Sequence, residues 1–413
     1  MTATIPARAL GNSAAGSGLA DGYELPWAFE PQHLEWRETV RRFVTREVEP
    51  GAAQRSIDAR FDADLACRAG ELGMYGLLID TENGGAGADM RTLCLTIEEL
   101  ARVDSSLAVT VHVQAIVSAL FQHLTKERPD LRHSILPAAA KGETFIAIGL
   151  TEPSGGSDAG NIGTTARADG SGDGTDWIIN GSKQFITNSG TPFSKYVILL
   201  AAVGQNVNGR PPVSAFLVPL DAPGVTVGGA YPKLGWRASD THPLFFDEVR
   251  ISGDMLISAP GRGYKEVLEF LTWGRLPFAA MAAGLAQGCL QDTLRFVNER
   301  TSFNLPLGSH QGVSFQVSEV MALAATARTM TFDGAWKYDH GMPYNDSAAV
   351  AKLVASEAAN KAAYIGTQLQ GGYGFITETA TTRHYQDARI LTVGEGTSEV
   401  QKMLIARSLG LPV

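Results

Sequence analysis

The chain has 413 residues, 44% of them hydrophobic and 19% charged, with 45 glycines and a formal net charge of −9. That length suits two or three globular domains. The acidic balance, without any lysine/arginine block, argues against nucleic acid or an anionic membrane surface as partners. No run of about 18 apolar residues occurs, so no membrane span is expected.

Residues 1–30 are rich in Ala, Gly and Ser, with Arg8 as the sole cation. They lack the apolar core of a signal peptide and the arginine content of a mitochondrial leader, so they read as a loose N-terminal arm. Residues 31–145 follow a helical period. In "HLEWRETVRRFVTREVEPG", Trp36, Val40, Phe43, Val44 and Val48 recur near every 3.6 residues, and Pro50-Gly51 should stop the run. "RTLCLTIEELARV" and "SSLAVTVHVQAIVSALFQHL" predict further helices, the second apolar on nearly all sides and therefore buried.

Between 146 and 260 the period falls to two. "DWIINGSKQFIT" predicts a hairpin turning at Asn180-Gly181, and "KYVILLAAV", "VSAFLVPL" and "LFFDEVRI" predict further strands. Short strands without helices between them predict an antiparallel β-barrel or sandwich. From 261 to 413 helices return. Three long Ala-rich helices and a last one from Thr397 to Gly410 predict a four-helix bundle, so the class is α+β in three domains.

The three cysteines, Cys67, Cys94 and Cys289, are far apart and each lies in a helix-like apolar stretch. They predict buried thiols in a reducing, cytoplasmic compartment, with neither a disulfide nor a metal site. GxGxxG, Walker A, HExxH and GxSxG are all missing, which disfavours a Rossmann nucleotide fold and the common hydrolases. Lone histidines such as His112 and His123 on helices are more often structural than catalytic.

What remains is a set of small-residue turns beside apolar segments. "LTEPSGGSDAG" (150–160) lets backbone amides approach a ligand, with the hydroxyls of Thr151 and Ser157 at hand; a plain Ser turn is the simpler alternative. "GGYGF" (371–375) is either a helix C-cap or a close cofactor approach. "TVGEGTSEVQ" (392–401) sets Glu395 between two glycines just before a helix. Ser398 with Gln401 suits a capping box, and Thr397 can also cap. Glu395 lies outside that box, so capping does not account for it.

Taken together, "LTEPSGGSD", "NGSKQFITN", "LGWRASDTHPLFFDEVRI", "NERTSFNLPLGSHQ", "QLQGGYGF", "YQDARI" and "GEGTSEVQKMLIAR" run in the order of the acyl-CoA dehydrogenase family. From about residue 31 to the C-terminus the sequence resembles that family. The resemblance implies a helical domain, a β domain and a C-terminal four-helix bundle, with FAD held between the last two.

It further implies that Ile148, Leu150 and Thr151 lie along the flavin with Gly156 and Ser157 nearby. Phe185 and Thr187 would pack on and bond the isoalloxazine. Thr397 and Glu399 would sit at the ADP end. Arg300, Phe303, Gln311, Gln368, Gly371 and Gly372 would serve the cofactor of a neighbouring subunit in a homodimer or homotetramer.

By the same resemblance, Glu395 is the base that removes the α proton of an acyl-CoA thioester while a hydride leaves the β carbon for flavin N5. Its own N–H would help hold the thioester oxygen. Ser157, Arg275 and Gly396 are the implied substrate contacts, and Gly394 and Gly396 would leave room for the thioester. Relatives that place the base on the first long C-terminal helix have it where this chain has Gly274, so only Glu395 is available.

The chain departs from the family at several points. Phe185 stands where Trp is common, and Gln386 where Arg is usual. "SFNLPLG" lacks the usual Lys, "LLIDTENGG" lacks a Pro before the acidic pair, and Thr272 replaces a substrate-contacting Asp.

The expected activity is FAD-dependent dehydrogenation of an acyl-CoA, with an electron-transfer flavoprotein as acceptor. The alternatives are an oxidase, monooxygenase or biosynthetic dehydrogenase of the same fold acting on a carrier-bound or peptidyl acid, and a non-catalytic acyl-CoA-binding protein. Retention of Glu395 speaks against the last.

Overall fold

The computed structural model describes residues 20, 22–170, 176–204 and 210–412. The N-terminal part contains α1 (Pro31–Phe43), α2 (Ala52–Asp58), α3 (Ala63–Glu71), α4 (Met90–Ala101), α5 (Ser105–Leu124) and α6 (Pro129–Ala140). Pro50-Gly51 does not end the helical path. One π turn and one 3₁₀ turn carry it into α2, because Pro50 falls at the start of the 3₁₀ turn, where its missing N–H is harmless.

Asp62, Asp89 and Asp104 cap α3, α4 and α5. Asp104 also accepts from buried Arg55 at 2.8 Å, tying α2 to α5. Among the described residues α5 is the one helix long and apolar enough to cross a membrane, and the rest of the chain wraps it.

The arm expected over 1–30 lies outside the described residues at 1–19 and 21. Residues 22–30 are not loose. Leu25 and Ala28 are buried, and Phe29 meets Phe332 edge-on at 4.8 Å. The Arg328 guanidinium lies 5.2 and 5.0 Å from those two rings and donates to Glu98 at 2.8 Å.

The middle part holds β1 (Phe145–Gly149), β2 (Thr165–Asp169), β3 (Asp176–Thr187), β4 (Ser194–Val203), β5 (Val213–Pro219), β6 (Val225–Val227) and β7 (Thr241–Ile251). The order is β1-β4-β2-β3-β7-β6, with β5 on the other edge of β4. The sheet is mixed rather than purely antiparallel: β4 runs parallel to both β1 and β2. The chain between 150 and 164 separates those two strands, which leaves room for a crossover.

Along β4, Val197, Leu199, Ala201 and Val203 enter a core enclosed by the sheet, while Ile198 and Leu200 join the larger core shared with the helices. The sheet is therefore buried on both faces at its centre.

Asn180-Gly181 makes no hairpin. Both residues lie inside one continuous β3 paired with β7 and shifted in register there. A Cβ at Gly181 would come within 2.6 Å of Thr164 Oγ1, and its φ is +147°. Asn180 donates to Glu248 at 2.6 Å and accepts from its N–H at 2.9 Å. The glycine answers to close strand packing at a bulge, not to a turn.

The C-terminal part comprises α7 (Gly263–Glu299), a short hairpin of β8 (Thr301–Ser302) and β9 (Leu305–Pro306), α8 (Gln311–Asp339), α9 (Asn345–Gln370), α10 (Ala380–Leu391) and α11 (Ser398–Ser408). α7, α8 and α9 pack on one another, α7 also packs on α4 and α5, and α10 and α11 close over α9. α10 is an extra helix. Its polar, Thr-rich sequence shows little periodicity, yet Thr379 caps it and buried Arg383, His384 and Asp387 face inward.

Cys94 and Cys289 are buried, and burial pushes both thiols up. Cys67 is exposed, against expectation, because it falls on the outer face of α3.

Candidate active site

After α10 the chain turns sharply. Gly394 N donates to Ile390 O at 2.9 Å and Ser398 N to Thr392 O at 3.0 Å, delivering the chain to α11. Thr397 is the cap, accepting from Val400 N at 3.3 Å. The Ser398–Gln401 box does not form. Ser398 donates to Glu357 at 2.7 Å, and Gln401 Nε2 donates to the carbonyls of Glu395 and Gly396 at 3.2 and 3.0 Å. A third bond reaches the same turn from α9: Lys352 Nζ lies 2.6 Å from Gly396 O. Lys352 is fully buried beside the Phe278 ring. Burial pushes its ammonium down to about 8, against the pull of the Glu395 charge.

These three bonds hold an unusual backbone. Glu395 has φ +53° and Gly396 φ +84°. For an L-residue with a side chain the left-handed region costs roughly 1–2 kcal/mol, so the turn persists because its carbonyls are clamped. A Cβ at Gly394 would sit tightly, 3.1 Å from the Phe278 ring, and one at Gly396 would meet the Gln401 amide at 2.8 Å. The protein's own packing thus already favours glycine at both positions, at Gly396 chiefly through its left-handed φ, before any thioester is considered.

The Glu395 side chain is 21% exposed, with Oε1 3.7 Å from Nε2 of buried His112 on α5. Across from it on α7, the Cβ that Gly274 lacks would stand 3.9 Å from Oε2. Arg275 follows. Its Nε is buried without a partner, and burial lowers the guanidinium pKa against the opposing pull of Glu395. Residues from α5, α7, α9 and the α10–α11 turn therefore converge on one carboxylate. His112, Phe278, Lys352 and Gln401 were not legible as members of this group. Their only sequence signal is a polar or bulky residue on an otherwise apolar helix face.

The loop before β7 completes the wall. Trp236, with φ +49°, stands 6.0 Å from Phe278, and its main-chain N–H donates to Asp387 Oδ1 at 2.5 Å. Burial pushes the Asp387 carboxyl up to about 7, against the Trp236 hydrogen bond and the Arg383 charge. The folded state thus holds a proton that the unfolded state releases near the ordinary 3.8. The stabilising contribution is full below that value and is lost as pH rises through about 7. Asp387→Asn keeps an acceptor for Trp236 and removes the titration. Its melting temperature should gain on the wild type as pH rises from about 5 to 8, read by calorimetry.

A second set of expected residues lines the edge of the sheet. Ile148 and Leu150 are half-buried at the end of β1, and Gln184 N donates to Thr151 O at 2.9 Å. Gly156 and Ser157 are exposed, and the open side of Gly156 has only the Thr151 methyl nearby, at 3.6 Å. Phe185 is 61% exposed at a bulge of β3 with φ +60°, its ring 5.0 Å from Tyr231, and Thr187 follows half-buried. An exposed aromatic face beside an open, small-residue loop fits a flat ring bearing an anionic tail. Thr397 and exposed Glu399 stand at the start of α11.

The third set is at the far end of the bundle. Arg300 caps α7, Phe303 tips the β8–β9 hairpin with 89% of its surface exposed, and Gln311 opens α8. Gln368, Gly371 and Gly372 close α9, with nothing within 4 Å of the open sides of either glycine. Tyr373, 5.9 Å from Phe296 of α7, joins the two groups. Along α7, Arg300 is 26 residues from Gly274, roughly 39 Å of helix. One chain therefore does not bring this set to Glu395.

Among the described residues no cluster of His, Cys, Asp or Glu could hold a metal.

Matches to known proteins cover all three parts. The acyl-CoA dehydrogenase N-terminal, middle and C-terminal domain models match residues 30–143, 147–249 and 261–410. The mitochondrial short-chain specific acyl-CoA dehydrogenase of Bos taurus is 34% identical over 423 residues, covering 99% of this chain and 98% of its own. Butyryl-CoA dehydrogenase from Megasphaera elsdenii superposes with a TM-score of 0.86 at 29% identity, over 94% of this chain and 99% of its own. A glutaryl-CoA dehydrogenase from Mycobacterium smegmatis, solved with FADH2, gives 0.85 at 27% identity, over 92% and 95%. With three domains matched in order around a single clamped carboxylate, this chain belongs to the acyl-CoA dehydrogenase family.

Proposed function

We propose that the protein is an FAD-dependent dehydrogenase of short acyl-CoA thioesters, with Glu395 as the base that takes the α proton. The observation that carries this reading is the clamped left-handed turn that presents Glu395 opposite side-chain-free Gly274. A carboxylate in a strained turn held by buried donors marks a functional site rather than a surface accident.

Bound FAD supplies the acceptor for the β hydride. Phe185 and Thr187 face its ring, Ile148, Leu150, Thr151, Gly156 and Ser157 flank it, and Thr397 and Glu399 lie towards its ADP end. Ser157, Arg275 and Gly396 contact the thioester, and the N–H of Glu395 steadies the oxygen as charge develops there. Arg300, Phe303, Gln311, Gln368, Gly371 and Gly372 serve a partner subunit's cofactor in a homodimer or homotetramer. The distance of Arg300 along α7 from Gly274 and the exposure of Phe303 support that assignment. An electron-transfer flavoprotein accepts the electrons.

The short-chain specific and butyryl-CoA relatives favour a short acyl group. The test is anaerobic bleaching of the purified flavoprotein by a panel from butyryl- to palmitoyl-CoA. Bleaching should be fastest with the four- to six-carbon thioesters. A flavin untouched by every thioester, or a protein that takes up no FAD, overturns the reading. Rapid peroxide formation in air would replace the flavoprotein acceptor with oxygen.

A further inference from the structure

His112 is the one histidine near Glu395, and its surroundings are costly. The residue is 1% exposed, and neither ring nitrogen has a hydrogen-bond partner. Leaving a buried polar group unpaired is costly, and such groups in native proteins ask for an explanation. The ring is fixed in place. It packs edge-on against Phe278 at 5.9 Å, and one turn further along α5 Ile116 faces Gly274. The helix itself is pinned where Asn188 Nδ2 donates to Thr110 O at 3.0 Å. The polar atom that Nε2 faces is Glu395 Oε1, 3.7 Å away. That is too long for a hydrogen bond, and a swing of the carboxylate by about 0.9 Å would make one.

We propose that His112 is a positioning residue for Glu395, holding the base on line through Nε2; this rests on Glu395 being the base. Imidazole suits the task because a neutral ring with its proton on Nε2 can donate to Glu395 Oε1 in both forms of the base. Before the reaction Oε1 belongs to a carboxylate. Afterwards the α C–H bond has broken, the proton has become an O–H at Oε2, the oxygen on the side of Gly274, and the electron pair has stayed on the acyl group. Oε1 is then the carbonyl oxygen of the new acid and still accepts from Nε2, so the ring keeps one tautomer throughout. An aliphatic residue at 112 would satisfy packing yet leave both forms of Glu395 unsupported.

The test uses the FAD-loaded protein and three variants, read by anaerobic bleaching with butyryl-CoA, by thioester Kd and by thermal melting. Gln places its amide near the position of Nε2, Asn near that of Nδ1, and Leu removes both. His112→Leu should lower the bleaching rate at saturating thioester by about 10²-fold, the scale of a misplaced catalytic group. Kd should stay nearly constant and the melting temperature should be unchanged or higher, since an unpaired buried polar group is gone. His112→Gln should keep most of the rate and His112→Asn should not.

In a Glu395→Gln background, His112→Leu should cause no further loss. The proposal is overturned if His112→Leu bleaches like the wild type, if its rate falls only in step with melting temperature or FAD content, or if Gln fails as badly as Leu. Glu395→Gln alone tells the two readings apart: bleaching that survives it sinks the base assignment, and with it the role given to His112.

Discussion

Glu395→Gln should lower the rate of thioester-driven flavin bleaching by about 10⁴-fold, close to 5.5 kcal/mol of barrier, at the upper end for a general base. The substitution is clean because the turn does not depend on the side-chain charge. Gln401 and Lys352 bond the main-chain carbonyls of residues 395 and 396, and Gln can hold the same left-handed φ as Glu. Folding, FAD content and thioester affinity should therefore persist while proton abstraction stops. A secondary effect follows from the charge balance around Lys352. Burial lowers its pKa and the Glu395 charge opposes that, so the variant should titrate Lys352 lower still. Rapid-mixing absorbance at the flavin band measures the main effect, and a loss under tenfold would remove Glu395 from the base role.

The domain order was legible in the sequence because it rests on period. β4 alternates between two cores residue by residue, and α5 is apolar on nearly every side, so both announce themselves. What failed were features set by neighbours distant in the chain. Asn180-Gly181 has hairpin chemistry, yet Thr164 and Glu248 hold it at a bulge inside one continuous strand. α10 shows little apolar periodicity because its buried face mixes Ala388 and Leu391 with Arg383, His384 and Asp387, which only tertiary partners can satisfy. The parallel pairing of β4 with β1 and β2 depends on where the 150–164 loop lies.

The site shows the same division. Glu395 and its glycines stand together in the sequence, but the residues that hold them come from positions 112, 274, 278, 352 and 401. A buried lysine on an Ala-rich helix and a lone histidine on an apolar one have no sequence pattern that says which carbonyl or carboxylate they face.

Lys183→Met should destabilise the fold by about 3–5 kcal/mol, the usual consequence of removing one partner of a buried ion pair. Lys183 has no exposed surface and donates to Glu152 Oε1 at 2.7 Å, while Glu152 also accepts from Gly163 N at 2.7 Å and Thr164 N at 2.9 Å. One carboxylate thus closes the loop from Leu150 to Thr164 onto β3, and that loop carries Thr151, Gly156 and Ser157. The variant should release FAD more readily as well as melt earlier.

Burial raises the Glu152 pKa, but the charge and hydrogen bond of Lys183, with the bonds from Thr164, outweigh it and hold the carboxyl below its ordinary 4.5. The Glu152 charge therefore contributes stability above that value and loses it as pH falls through the lower folded pKa, while burial pushes the Lys183 ammonium down to about 8 against the pull of Glu152. Without Lys183 burial should prevail and the sign should reverse, so the gap in melting temperature between wild type and variant should narrow in acid. Adding Glu152→Gln removes the stranded charge and should recover much of the loss. Melting curves and flavin content across pH for the single and double variants decide the matter. A single variant that melts with the wild type and keeps its flavin would show that the pair does not hold this loop.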